Sequence, residues 1–195
     1  FDGLVIIKST IEPNTINILE NKFKNLKFIH NPEFLTARTA EYDFHNQKHI
    51  VIGKSNNCSD VDIQNLSRFY NLHYPDAEIS ICSSNESESM KLFCNSFYSV
   101  KIQFFNELYD FCIKNDINFN KVRKLMLKND WINPMHTNVP GPDGKLSYSG
   151  MCLPKDSEAL LSCMKDSNAI HDILKSSVNE RNIMRKSDNE YKKLE

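Results

Sequence analysis

One stretch restricts the fold more than any other. "SSNESESMKLFCNSFYSVKIQFFNELYDFCIKND", residues 83–116, reads as a single long helix. Met90, Phe93, Phe97, Ile102, Phe105 and Leu108 recur at helical intervals, which marks an apolar stripe. Ser84 or Asn85 is placed to cap the start, and Glu86 and Glu88 suit the positive end of the helix dipole. The chain on either side of this helix follows different patterns.

Before it, short β-branched runs alternate with helical stretches. "GLVIIKST", "LKFIHNPEF", "KHIVIGKS" and "AEISICSS" read as strands, the third closed by Gly53. "IEPNTINILENKFKN", with Pro13 in its first turn, and "DVDIQNLSRFYNLHY" read as helices. That alternation predicts an α/β domain with a parallel sheet. After the long helix come "NFNKVRKLMLKND", a long loop "WINPMHTNVPGPDGKLSYSGMC", and two closing helices within "PKDSEALLSCMKD" and "AIHDILKSSVNERNIMRKSDNEYKKL". The predicted division is residues 1–84 and 85–195.

Composition narrows the function classes. A charged fraction of 25% and a hydrophobic fraction of 40% over 195 residues describe a globular, soluble chain. A net charge of −1 gives no basic surplus for nucleic acid, and no apolar run is long enough for a membrane span. The chain opens inside a strand, on Phe1, which suggests a piece of a longer protein. Cys58, Cys82, Cys94, Cys112, Cys152 and Cys163 show no C-x-x-C spacing. Reduced thiols in a cytoplasmic setting are therefore expected, with neither a disulfide framework nor a metal site. No G-x-G-x-x-G is present, and three of the five glycines lie in the one long loop.

Four groups of residues are candidates for chemistry. Cys152 precedes Pro154 and Lys155, so it sits just before a helix start, where unpaired N–H groups favour a thiolate. The competing reading is a small thiol packed under a loop. Lys91 and Asn95 are four apart and share a face of the long helix. They form either an oxyanion or hydroxyl clamp or an ordinary solvated pair. In "HNPEFL", Glu33 follows a strand-end turn, and Ser9-Thr10 ends another strand; Thr10 and Glu33 either face one cleft or are plain turn and surface residues. Asp156 is a first-turn carboxylate that either complements the helix dipole or positions a water near Cys152. His136, alone in the loop, reads as a surface residue.

Taken together, "VIIKSTIEPNT", "NPEFLTARTAEYDF" with "HIVIG", "SESMKLFCNSFYSVKIQFFNEL" and "YSGMCLPKDSEAL" resemble the UDP-glucose/GDP-mannose dehydrogenase family, in its order and roughly its spacing. The resemblance implies the later half of a Rossmann-type domain followed by a helical middle domain that dimerises through its long helix. It implies two successive NAD-dependent oxidations of a nucleotide-sugar alcohol, most like those on a UDP-sugar, through a thiohemiacetal and a thioester on a cysteine. By matching, Cys152 is the nucleophile, and Lys91 and Asn95 stabilise the oxyanion and hold the sugar. Glu33 takes part in proton transfer, and Asp156 supports the cysteine or a water. Thr10, Glu33 and Lys155 lie near NAD; Phe34, Leu35, Tyr148, Ser149 and Gly150 line the sugar-nucleotide site. The chain departs from the family at Ala37 and Arg38, and at Ser147 and Ser149, which stand where glycines are usual. Two other readings remain: a hydroxyacid-type dehydrogenase that uses the Lys-x-x-x-Asn pair and oxidises once, and an inactive dimerising remnant.

Overall fold

The computed structural model describes residues 3–186 and Asp188. These residues divide into two compact units, which meet in sequence at Leu92 and Phe93.

The first unit is built on four strands: β1 (Gly3–Ile7), β2 (Leu26–His30), β3 (His49–Lys54) and β4 (Glu78–Ser83). They lie in the order β1-β2-β3-β4. β1 pairs with β2 in parallel from Gly3↔Leu26 to Ile7↔His30, and β3 with β4 in parallel from His49↔Glu78 to Lys54↔Ser83. β2 and β3 run antiparallel, through Ile29↔Lys54 and His30↔Gly53. The predicted parallel sheet is thus mostly parallel, with one reversed junction. The connection from β2 to β3, residues 31–48, carries a six-residue helix, α2 (Ala40–His45).

Helices α1 (Thr15–Lys22) and α3 (Asp60–His73) fill the other connections. Ser59 and Asp62 form a reciprocal capping box at the start of α3. Ile29, Ile50, Ile52, Ile63, Leu66 and Tyr70 make the core of this unit. Each buried aliphatic side chain contributes about 2 kcal/mol. Pro13 lies outside α1, whose N-cap is Asn14 in the left-handed region at φ 75°. Gly53 lies inside β3 and does not close it. A Cβ there would meet the Ser87 Cβ at 2.5 Å and the His30 carbonyl at 3.1 Å, so the helix that follows β4 rests directly on the strand.

That helix, α4 (Ser84–Lys114), runs on into the second unit. Its cap is Ser83 rather than Ser84 or Asn85. The Ser83 hydroxyl accepts from the Glu86 N–H at 3.3 Å, and the Glu86 carboxylate accepts from the Ser83 N–H at 2.8 Å. The second unit also contains α5 (Phe119–Met126), a 3-10 turn (Leu127–Asn129), α6 (Leu153–Asp166) and α7 (Asp172–Met184). Phe105, Cys112, Phe119 and Val139 form one core cluster there, and Leu160, Leu161, Leu174 and Val178 are also buried. The predicted last helix is described to Met184; residues 187 and 189–194 of it lie outside the described residues.

The apolar stripe predicted for α4 coincides with its buried face only in part: Phe105 is core and Leu108 packs against it, but Phe93 and Phe97 are not buried. Phe93, Phe97, Phe104 and Phe111 are exposed, whereas Glu88, Lys91, Asn95, Ser99, Gln103 and Asn106 are buried. Polar side chains form much of the inner side of this helix. Buried polar groups must find partners, and those partners build the site.

Candidate functional site

In the first unit the site starts at the end of β2. Asn31 follows the strand, with its backbone N–H on the Ile7 carbonyl at 2.8 Å and its side-chain amide on the Val51 carbonyl at 2.6 Å. The Asn31 Oδ1 accepts from Lys8 Nζ at 2.7 Å and from the Tyr70 hydroxyl. The Asn-Pro turn is therefore anchored to three neighbouring elements. It delivers Glu33 and Phe34 to Lys91, whose Nζ donates to the Glu33 carbonyl, lies 3.7 Å from Glu33 Oε1, and sits 4.9 Å over the Phe34 ring. Lys91 is only 4% exposed. The solvated-pair reading of Lys91 is excluded by this enclosure: a backbone carbonyl, a carboxylate and an aromatic face all compensate its charge. Glu33 Oε2 accepts from the Leu35 N–H at 2.6 Å. Thr10 is half-buried beyond the end of β1.

Two further residues of this unit were not among the site candidates, Glu88 having been read only as a partner of the helix dipole. His30 is fully buried, with Nδ1 2.8 Å from the Ser87 hydroxyl and Nε2 3.2 Å from the Ser9 carbonyl. A carbonyl only accepts, so Nε2 carries the proton and Nδ1 accepts from Ser87. Burial pushes the His30 pKa down to about 4; the charges of Lys91 and Lys8 add to this, and the Ser9 carbonyl opposes it. Glu88, also fully buried, accepts from the Ile16 N–H at 3.0 Å. It satisfies the start of α1, where Asn14 supplies no side-chain cap. Burial raises its pKa. The available signal was spacing: Ser87, Glu88, Lys91 and Asn95 share one helical face.

In the second unit Asn95 and Asp156 meet. Asn95 Nδ2 donates to Asp156 Oδ2 at 2.5 Å, and Lys155 Nζ donates to Asp156 Oδ1. The carboxylate fixes which way the amide points. Asp156 has a side-chain exposure of 1%. Cys152 stands one turn before it and is exposed; its carbonyl accepts from the Asp156 N–H at 2.9 Å. Cys152 is the N-cap of α6, with Leu153 and Pro154 as the first two helical residues. The reading of Cys152 as a thiol packed under the loop is thereby set aside.

The loop before Cys152 is closely held. Tyr148 is buried, and burial raises its phenol pKa. The Ser149 hydroxyl donates to Asp143 Oδ2 at 3.1 Å. Gly150 takes φ 86°, and nothing lies within 4 Å of where a Cβ would be. Ser147 also takes a positive φ, 62°, whereas Ser149 does not. Ala37 and Arg38 are exposed. His136, expected at the surface, is half-buried against Tyr98, with ring centroids 4.8 Å apart.

Comparison with known proteins decides the family. The central-domain profile of the UDP-glucose/GDP-mannose dehydrogenase family matches residues 85–182, and the profile of its NAD-binding domain matches residues 2–72. The chain belongs to the UDP-glucose/GDP-mannose dehydrogenase family. Among its relatives is a UDP-glucose 6-dehydrogenase of Campylobacter jejuni, 30% identical over 162 residues, covering 81% of this chain and 38% of that protein. A Rickettsia bellii protein of the same name is 33% identical over 168 residues, covering 84% and 37%. The chain thus spans well under half the length of these relatives. The fold agrees with a UDP-glucose dehydrogenase from Pyrobaculum islandicum, at a TM-score of 0.82 and 24% identity, covering 94% of this chain and 42% of that one. Among the described residues no helix is long and apolar enough to cross a membrane.

Proposed function

We propose that the chain supplies the catalytic middle of an NAD-dependent nucleotide-sugar 6-dehydrogenase, with UDP-glucose as substrate and UDP-glucuronate as product. In this reading the first unit is part of the NAD-binding domain, and the helical unit carries the nucleophile. The observation that carries the proposal is Cys152 exposed at the N-terminus of α6, one turn before a buried Asp156 already bonded to Asn95. A helix N-terminus stabilises a thiolate.

The residues present fit part of a dinucleotide site. Lys8 and Lys91 are cations beside Glu33, and burial lowers the pKa of Lys8 while the Glu33 charge opposes that. Thr10 and Glu33 at the strand ends, and Lys155 beside Asp156, are the residues that would hold NAD. When bound, NAD takes up a hydride in each of two oxidations. The chain's own work lies between them. The Cys152 thiolate adds to the aldehyde carbon; a C–S bond forms and the carbonyl electron pair moves to oxygen. Lys91 and the second N–H of Asn95 hold that oxyanion. At the thioester, water adds to the carbon, the C–S bond breaks, and Cys152 leaves as thiolate. Glu33 orders that water and receives its proton, and Asp156 holds Asn95 in place. Phe34, Leu35 and residues 148–150 bound the sugar.

Cys152→Ser tests this. NADH formation from UDP-glucose by the active protein is expected to fall about a thousandfold or more; wild-type turnover would sink the proposal. Two NADH per sugar supports it, and one supports the hydroxyacid-type alternative. Reduced thiols suit a cytoplasmic enzyme. The exposed Phe93, Phe97, Phe104 and Phe111 suit a homodimer formed through α4. Phe97→Lys is expected to shift sedimentation towards monomer, and an unchanged mass would reject that interface.

A further inference from the structure

Arg185 lies just past α7, 4% exposed. All five of its N–H donors are engaged. Nε donates to the Leu146 carbonyl at 2.6 Å. Nη1 donates to Asp143 Oδ2 and to Asp188 Oδ2, both at 2.7 Å. Nη2 donates to Asp143 Oδ1 at 3.2 Å and to the Ser147 carbonyl at 3.0 Å. Arg181, one turn earlier, continues the series: Nε to the Tyr148 carbonyl at 3.4 Å, and Nη2 to the Asp188 carbonyl at 2.9 Å. Three consecutive carbonyls, of residues 146, 147 and 148, are thus gripped by two buried guanidinium groups.

The residue at the centre of this grip sits in a conformation it would not choose. Ser147 has φ 62°, in the left-handed region that L side chains rarely adopt. Every polar group it owns is committed to keeping it there. Its N–H donates to Asn106 Oδ1 at 2.8 Å, its hydroxyl donates to Gln103 Oε1 at 2.8 Å, and its carbonyl goes to Arg185. Only four residues separate Ser147 from Cys152, and one of them is Gly150 at φ 86°. A path this short transmits the position of Ser147 to the thiol.

We propose that Arg185 is a positioning residue, which with Asp143 and Ser147 fixes the chain leading to Cys152 before any ligand arrives. With every donor used, Arg185 has nothing left to offer a substrate. A lysine in its place keeps the charge but cannot span Asp143, Leu146 and Ser147 together. Arg185 is enclosed while the Asp143 side chain is 38% exposed, so salt screens the Asp143 arm of the grip but not the carbonyl bonds. The catalytic consequence rests on Cys152 being the nucleophile. The positioning itself is measured without turnover, so the two ideas fail separately.

The test follows amide exchange of residues 143–150, and iodoacetamide alkylation of Cys152 against pH read on its own peptide, in the whole chain. In Arg185→Lys, exchange at 146–150 is expected to rise by about tenfold or more. The pH midpoint of Cys152 alkylation should move upward as the thiol loses its fixed place at the helix start. Amides of α4 and α6 should keep their rates. Ser147→Gly, which relieves the backbone but leaves the Arg185 bonds, should raise exchange several-fold without moving the midpoint. If Arg185→Lys does not fold, Asp143→Asn replaces it, with a several-fold rise at 146–150 expected. Exchange and alkylation that superimpose on the wild type would overturn the proposal. So would a uniform rise across the second unit, which is the mark of a merely structural arginine.

Discussion

Two buried charges, one in each unit, are compensated differently. Lys91, in the first unit, is enclosed by partners that are themselves partly open: Glu33 has a side-chain exposure of 35%, and Phe34 is exposed. Asp156, in the second unit, has both oxygens engaged, by Asn95 and Lys155, and almost no exposure. A cation held by a movable carboxylate and a ring face can exchange one of them for a ligand at small cost. Asp156 is itself enclosed, and although Lys155 is 53% exposed, the other Asp156 oxygen is held by the buried Asn95 amide. Lys91 is thus suited to meeting charge that appears during a reaction, and Asp156 to holding a neighbour still.

The largest effect expected at neutral pH follows from the enclosed side. Asp156→Ala leaves the buried Asn95 amide without its acceptor, while half-exposed Lys155 turns to solvent, and should lower unfolding free energy by about 2–3 kcal/mol. Asp156→Asn keeps the shape and should cost less than half of that. Urea unfolding of both variants checks the ordering; an alanine variant within about 1 kcal/mol of wild type would break the contrast.

The open side carries a titrating neighbour. The folded-state pKa of His30, about 4, lies below its ordinary value of 6.5, so the fold favours the neutral ring. The associated stability is fully present above about pH 6.5 and is lost as pH falls towards 4, up to about 3 kcal/mol. His30→Gln should remove this part of the pH dependence. The difference between wild-type and variant unfolding curves measures it, since other carboxylates cancel. Parallel curves between pH 6.5 and 4 would show that Ser87 and Ser9 do not hold the ring as described.

Much of this contrast was legible in the residues and some was not. Strand positions could be read because β-branched runs of the right length are bounded by turn chemistry. The Lys91–Glu33 and Asn95–Asp156 pairs were anticipated only as members of motifs. Their partners lie 58 and 61 residues apart in sequence, and no local rule connects such distances. The α4 stripe misled because periodicity reports that a helix has two faces, not which is inward. In α4 many polar side chains turn in, and Phe93, Phe97, Phe104 and Phe111 turn out while Phe105 stays in the core. His30 and Glu88 were missed as site residues for a related reason: a buried polar residue is recognised by its partners, and these sit on other elements. Ser147 and Ser149 were flagged together as replacing glycines, but only the backbone angle separates them.

Glu33→Gln gives the smallest and most discriminating change. It removes the carboxylate charge 3.7 Å from Lys91 but leaves the Glu33 backbone carbonyl and the Phe34 ring in place. The glutamine oxygen still accepts from the Leu35 N–H, so the turn geometry survives. Stability should fall by about 1 kcal/mol or less, because the lost partner is partly hydrated and the lysine keeps two others. A loss near that of Asp156→Ala would mean that the carboxylate, not the carbonyl and ring, holds Lys91, and the two charges would then be compensated alike. A small loss of stability with a large loss of turnover would instead locate the role of Glu33 in proton transfer, where an amide cannot substitute for an acid.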